Sequence, residues 1–310
     1  MDPIAHTLVG AGLAQSGLKH RTPLATATLL IGANLPDVDV LSYAWGETAA
    51  LSFRRGWTHG VLAWVVLPLV LTGCMLAWDR WVRRRRAPRA LPAAAGPLLG
   101  LAGLAVLTHP VLDFLNVYGI RLLMPFTDRW YYGDTLFIVD PWVWAILATG
   151  VVAARRRGPR AARLALGLLV GYVGLMAASG VAARWMVWRS LPFSRAGVDR
   201  VMAAPVPVTP FRRYVVLAEG DGYRVGQFNW FRDPPIRYSD LAVISRRATT
   251  PEAGAAQRDP RGRRFLSWAR FPYYETTPVD GTHRTTIIDA RYALEADAPF
   301  GAITIGGDPP

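Results

Sequence analysis

The chain has 310 residues, 52% of them apolar and 18% charged, with 12 tryptophans and a net charge of +13; a soluble domain carries about 25% charge, so this balance describes a membrane protein diluted by a soluble part. The single cysteine, Cys74, excludes a disulfide within the chain and any cysteine-rich metal site. The arginines gather in short clusters between apolar runs, without a zinc-finger, RNP or helix-turn-helix pattern, so the charge reads as a topology signal and nucleic acid is not an expected partner.

The opening MDPIAHTLVG carries an acidic residue where a cleavable signal peptide would have a basic one, so no such peptide is expected. IAHTLVGAGLAQSGL (4–18) is apolar with small residues throughout, and PLATATLLIGANLP (23–36) is short for a span. The pair reads as two short transmembrane helices in preference to a re-entrant hairpin. Four clearer spans follow at 58–79, 91–112, 136–154 and 164–186. Each is near the roughly 20 residues that cross a bilayer core, where a helix satisfies its own backbone. The clusters KHR (19–21), RWVRRRRAPR (80–89) and RRRGPRAAR (155–163) place their loops in the cytoplasm. The N-terminus, loops 37–57 and 113–135, and everything after about residue 187 then face outward.

Beyond that point the composition changes. TPFRRYVVLAEGDGYRVGQFNWF, DLAVISRR, GTHRTTIIDARYALEA and GAITIGG are rich in β-branched and aromatic residues and broken by turn residues, which reads as short strands. The expected architecture is an α-helical polytopic membrane domain of about six membrane segments, the first two short, followed by a small β-rich extracytoplasmic domain. The expected boundaries are 1–187 for the membrane domain, 188–205 for a linker and 206–310 for the β-rich domain.

Ionisable residues at membrane depth are costly and mark function. In this topology His6, Asp37, Asp39, His59, His109 and Asp113 all arrive at the outer edge, from separate segments, while arginine dominates the inner ends. Imidazole and carboxylate are the ligands that zinc, manganese and iron share. In LTHPVLDFLN, His109 and Asp113 stand at i and i+4, so both reach one helical face. In NLPDVDVL, Asp37 and Asp39 can flank one ion, or one of them can orient a histidine. Asp2, Asn116 and Asp140 are additional candidates; Asp140 precedes Pro141 and reads equally as a helix cap. The outer arginines Arg54, Arg55, Arg121 and Arg129 suit a substrate phosphate and suit lipid headgroups equally. GAG in VGAGLAQ fits close helix packing better than nucleotide binding.

MDPIAHTLVGAGLA, GANLPDVDVL, RRGWTHGVLAW and THPVLDFLNVYG resemble the signature blocks of the bacterial YdjM/YbcI-type family, inner-membrane proteins described as predicted metal-dependent hydrolases. The blocks cover roughly residues 1 to 150. A more distant resemblance is to the zinc-dependent phospholipase C and P1-type nuclease group, which uses separated histidines, an aspartate after a turn, and a histidine followed four residues later by an aspartate. His6, Asp37 or Asp39, His59 and the His109/Asp113 pair match those parts. Five histidines in all are too few for that group's trinuclear centre, so one or two ions, with zinc foremost, are implied.

The resulting expectation is a membrane-bound metal-dependent hydrolase of the bacterial cytoplasmic (inner) membrane. It would act on a phospholipid or other amphiphilic phosphoester at the outer membrane–water boundary. Asp37 or Asp39 would accept the proton of the attacking water, and the external domain would cover the site or recruit a protein partner. The alternative is a non-enzymatic integral membrane protein in which a metal braces the helix ends.

Overall fold

Asp2 and Pro3 start the first helix. The Asp2 carboxylate accepts hydrogen bonds from the Ile4 and Ala5 amides, and Pro3 occupies the first position, where no amide is needed. This computed structural model describes residues 1–191, 197–279, 282–292 and 300–306. The chain forms two units, Met1–Ala44 with Phe53–Ala177 and Trp45–Ser52 with Ala178–Pro310.

In the first unit, α1 (Pro3–Gln15) packs on α2 (Ala25–Asn34). Small residues permit the approach: a Cβ on Gly10 would lie 2.7 Å from the Leu29 carbonyl oxygen. A 3₁₀ segment, Leu35–Trp45, follows around Pro36, and the short helix α3 after it (Glu47–Phe53) belongs to the second unit up to Ser52. Helix α4 (Ala63–Trp78) continues through a π turn to Arg86. Helix α5 (Ala95–Phe114) packs against both α2 and α4, and Gly32 of α2 sits so close that a Cβ there would meet that of Ala105 at 2.8 Å. Asp140 and Pro141 repeat the opening cap at α6 (Pro141–Arg157), which packs on α1. Helix α7 (Pro159–Ser190) gives its first part to this unit and its end to the second.

Among the described residues three helices are long and apolar enough to cross a membrane: Ala63–Arg86, Ala95–Phe114 and Pro159–Ser190. This corrects the expectation of about six membrane segments. Helices α1 and α2 have 13 and 10 residues, about 20 and 15 Å at the helical rise, against a hydrocarbon core of about 30 Å. The stretch 136–154 loses its first residues because Asp140 caps the helix, which leaves 17 residues ending in three arginines. Apolar composition misled here because helices buried among other helices are as greasy as helices in lipid. The three long helices keep exposed apolar faces, including Val65, Leu69 and Val70 on α4 and Leu168, Val170 and Leu175 on α7. Cys74 is exposed on α4 beside them.

The second unit is β-rich. Strands β1 (Val198–Pro205), β2 (Arg212–Glu219), β3 (Gly222–Asn229) and β4 (Ala242–Ser245) form an antiparallel sheet in chain order. The β2–β3 hairpin turns through Gly220 at φ +53°, with Glu219 paired to Gly222. Val215, Leu217 and Phe228 pack with Ala183 and Val187 from the end of α7. Two short helices, α8 (Pro251–Arg258) and α9 (Pro260–Trp268), precede a second antiparallel sheet of β5 (Pro272–Val279), β6 (Thr282–Asp289) and β7 (Ala302–Ile305). Strand β1 lies within the 188–205 stretch expected as linker.

Candidate metal centre

Three segments of the first unit converge on one point. His109 and Asp113 lie on one face of α5, one turn apart and fully buried, with His109 Nε2 3.6 Å from Asp113 Oδ2. His59 sits in the turn Gly56–Gly60, whose amides fold back onto the Gly56 carbonyl. Gly60 must be a glycine there, because a Cβ would meet the Met124 carbonyl oxygen at 2.5 Å. The turn brings His59 Nε2 to 3.3 Å from Asp113 Oδ2 and 3.1 Å from His109 Nε2. Asp37 completes the group from the 3₁₀ segment, its Oδ1 3.6 Å from His109 Nε2 and 4.0 Å from His59 Nε2. Asp37, His59, His109 and Asp113 each offer one ligand atom, all within 4.8 Å of one another.

Three residues per turn send the two aspartates of DVD in different directions. Asp37 is the partly exposed member of the cluster, its side chain 21% accessible. Asp39 is buried behind His59. Its Oδ2 accepts from the Arg55 amide at 2.7 Å and the Thr58 hydroxyl at 3.0 Å, and lies 3.3 Å from His59 Nδ1. Arg55 reaches that bond from a left-handed backbone, φ +50°, a conformation non-glycine residues hold only when their surroundings compel it.

The outer hydrogen bonds determine what faces inward. His109 Nδ1 is 2.7 Å from the Ala33 carbonyl oxygen, which can only accept, so that nitrogen carries the proton. Thr58 donates to Asp39, and His59 Nδ1 faces both its hydroxyl oxygen at 2.9 Å and the Asp39 carboxylate; it too is therefore assigned as protonated. Both Nε2 atoms then point lone pairs at each other and at two carboxylate oxygens. Four electron-pair donors this close are stable only around a cation, a shared proton or a metal ion. Two imidazoles and two carboxylates, with the imidazoles anchored from behind by a carbonyl and a carboxylate, fit a divalent metal.

His6 stacks on His109 with ring centroids 3.7 Å apart, and its Nε2 is 3.4 Å from Asp113 Oδ1. Both of its ring nitrogens are buried without a hydrogen-bond partner. Burial first, and then neighbouring His109, push its pKa down to about 3, which keeps the ring neutral. The Met1 amino group also contacts Asp113 Oδ1, and burial holds it below the usual amine range. For Asp37, burial pushes the carboxyl up, but in the metal-free site, where a proton at Nε2 charges His109, the hydrogen bond from that ring and its charge prevail and hold the carboxyl at about 2.

The other candidates take supporting places. Asp2 caps α1 and accepts from Trp144 Nε1 at 3.1 Å. Asp140 caps α6 and accepts from the Tyr172 hydroxyl at 3.1 Å. The Asn116 side-chain oxygen accepts from Arg55 Nη1 at 3.1 Å and from the Tyr118 amide at 2.8 Å, which aims Arg55 Nε to 3.4 Å from Asp113 Oδ2. Arg54 lies 3.6 Å from Asp39 Oδ1 and donates to the Tyr43 hydroxyl. Arg121 is buried, donating to the Arg54 carbonyl and lying over Trp130. Arg129 is exposed over Tyr131. Sequence reasoning missed Thr58, the Ala33 carbonyl and the Met1 amino group; only Thr58, adjacent to His59 in WTHG, carried a readable signal.

These features define a multi-pass membrane protein with a buried His/Asp cluster able to coordinate a divalent metal ion. The chain belongs to the YdjM family, since residues 1–186 match the family described as YdjM inner membrane protein. A similar protein of Bacillus subtilis (strain 168), "Uncharacterized protein YfhP", is 21% identical over 330 residues, covering 99% of this chain and 92% of that one. No solved structure matches the chain.

Proposed function

We propose that this protein is a membrane-bound, metal-dependent hydrolase acting on a phospholipid or another amphiphilic phosphoester at the outer membrane–water boundary. The observation that carries this reading is the convergence of His59 Nε2, His109 Nε2 and oxygens of Asp37 and Asp113 within 4.8 Å, at the end of a membrane-spanning helix. Those four residues would hold the ion, and zinc suits the donor set. A divalent ion there supplies Lewis acidity, polarising a phosphoryl oxygen and making water easier to deprotonate.

The protein's own groups divide the remaining work. Asp37, partly open to the surroundings, accepts the proton of the attacking water. Asp39 holds the His59 ring in orientation and keeps its Nδ1 protonated. Arg55, beside Asp113, and Arg54, beside Asp39, offer positive charge to the phosphate. The arginine-rich turn after α4 faces the cytoplasm by the positive-inside tendency. This would put the far end of α5, and with it the centre, at the outer face, and the β-rich region would serve a protein partner. The distant likeness to the zinc phospholipase C and P1-type nuclease group supports the same chemistry.

The burial of His59, His109 and Asp113 favours a second reading, since structural metal sites are closed. In that reading the ion braces the ends of α2 and α5 and the protein is not an enzyme. The two separate by metal analysis of the purified protein followed by a panel of phospholipids and soluble phosphoesters. The enzyme reading expects bound metal and hydrolysis, both lost in Asp113→Asn. Stoichiometric metal without hydrolysis of any phosphoester would leave the bracing role.

A further inference from the structure

The first turns of α1 and the last turns of α2 leave between them a groove of roughly 500 Å³. Pro3, Leu30, Ile31, Leu35 and Val38 give it apolar walls. One polar pair interrupts them: Asn34 Nδ2 donates to the Thr7 hydroxyl at 3.1 Å. At its end stands Asp37, whose Oδ1 is 3.6 Å from His109 Nε2. The other three members of the cluster are fully buried, so a molecule arriving at the centre meets Asp37 first, and the groove is the space that Asp37 borders. Its rim is apolar and exposed, with Ile4 at 53%, Ile31 at 46% and Val38 at 46% accessible. A surface of this kind is stable when lipid covers it.

We propose that this groove receives a hydrocarbon chain of the substrate, entering sideways from the bilayer, and presents the attached phosphoester to the metal centre. The inference rests on the hydrolase reading and specifies its substrate: an anionic amphiphile with at least one long chain. The match is in the chemistry of the lining. The apolar walls suit the chain, the Thr7–Asn34 pair suits the oxygen-bearing linkage between chain and phosphate, and Asp37, where the groove meets the His/Asp cluster, marks where the anionic group would reach a bound ion. A soluble phosphoester would use the last of these features and leave the rest of the groove without an occupant.

The test uses the full-length protein in nanodiscs containing phosphatidic acid with a photoactivatable diazirine on its acyl chain. The expected result is label concentrated on the peptides bearing residues 3–7 and 30–38, at least fivefold above the exposed α4 face around Leu69. Ile31→Trp, which narrows the groove from its open side, should cut that enrichment at least threefold while the thermal unfolding midpoint stays at the wild-type value. Val38→Trp serves equally if Ile31→Trp unfolds. Labelling is also run in Asp113→Asn, where loss of hydrolysis is expected and enrichment should persist. Failure of the enzymatic reading would therefore appear as absent turnover with labelling intact. Label spread evenly over the apolar helix faces, or enrichment unchanged by the groove-filling variants, would overturn the proposal.

Discussion

Asp39 offers the sharpest test of how the centre is built, because it stands behind a ligand and is not one of the four converging residues. Its Oδ2 serves the Arg55 amide, the Thr58 hydroxyl and His59 Nδ1, while Oδ1 faces Arg54 at 3.6 Å. In Asp39→Asn the amide oxygen can take the place of Oδ2, with the NH₂ turned toward Arg54. The geometry then survives and the charge is lost. A hydrogen bond to a charged group is worth about 1.5–3 kcal/mol and a neutral one about 1 kcal/mol, so Asn should cost about 1 kcal/mol, somewhat under tenfold in metal affinity. Asp39→Ala removes the acceptor and frees the His59 ring; loss of such outer contacts costs about 10–100-fold, or about 1.4–2.7 kcal/mol. It also leaves the buried Arg55 amide unpaired, for a further stability loss of about 1–3 kcal/mol. The assay is competition for Zn²⁺ against a chromophoric chelator in detergent micelles. The reasoning fails if Asp39→Ala binds zinc within twofold of wild type. It fails in the other direction if Asp39→Asn abolishes binding as Asp113→Asn does, since Asp39 would then be a ligand.

The remaining expectations concern the same unit. His109→Ala should abolish zinc retention, measured by elemental analysis, whereas Asp2→Asn should retain it, because Asp2 caps a helix. Asp113→Ala should cost about 3–5 kcal/mol against wild type, since it leaves the buried Arg55 guanidinium without a partner there, and Asp113→Asn should cost less, since it loses the charge but keeps an acceptor oxygen facing Arg55; equal unfolding midpoints for the two variants would refute this. The folded His6 ring titrates at about 3, below the ordinary 6.5. Between those values the unfolded chain binds more protons, so metal-free protein should lose up to about 1.4 kcal/mol of stability per pH unit on acidification. His6→Gln should flatten that slope between pH 6.5 and 5, and parallel melting curves would exclude the assignment. Gly10→Val should lower the unfolding midpoint sharply, because its Cβ would fall 2.7 Å from the Leu29 carbonyl; an unchanged midpoint would mean that α1 and α2 are not held at this distance.

The histidine–aspartate pair on α5 was legible because it needs only helical periodicity: residues four apart share a face wherever the helix packs. The division of labour between Asp37 and Asp39 was not, since it depends on a 3₁₀ segment that no pattern in NLPDVDVL announces. His6 and His59 were readable as co-planar with the pair only after the arginine clusters had oriented the chain. The same hydropathy that located the long helices overstated α1, α2 and the 136–154 stretch. In the β-rich region, β-branched and aromatic residues on either side of GDG exposed β2 and β3, whereas alanine and proline masked β1 in VDRVMAAP. The caps Thr250–Pro251 and Asp259–Pro260 mark two helices there that strand-like neighbours concealed.

The charges around the centre bear on the kind of ester it suits. Asp37, Asp39 and Asp113 bring three negative charges, and Arg54 and Arg55 return two. The Met1 amino group counts for less, because burial favours its neutral form. The protein groups therefore sum to about one negative charge, and a divalent ion turns the cluster net positive in surroundings of low polarity. Burying a positive centre is costly unless an anion neutralises it. Under the proposed hydrolase reading a phosphoester would supply that anion and a neutral carboxylic ester would not, so the arginines beside two of the aspartates favour phosphate over an uncharged lipid ester in that proposal. The same balance fits the way both arginines are tied down, one by Asn116 and the other by Tyr43: their charge is held where it offsets the carboxylates, and in the proposed reading it would reinforce a bound ion toward an anionic substrate.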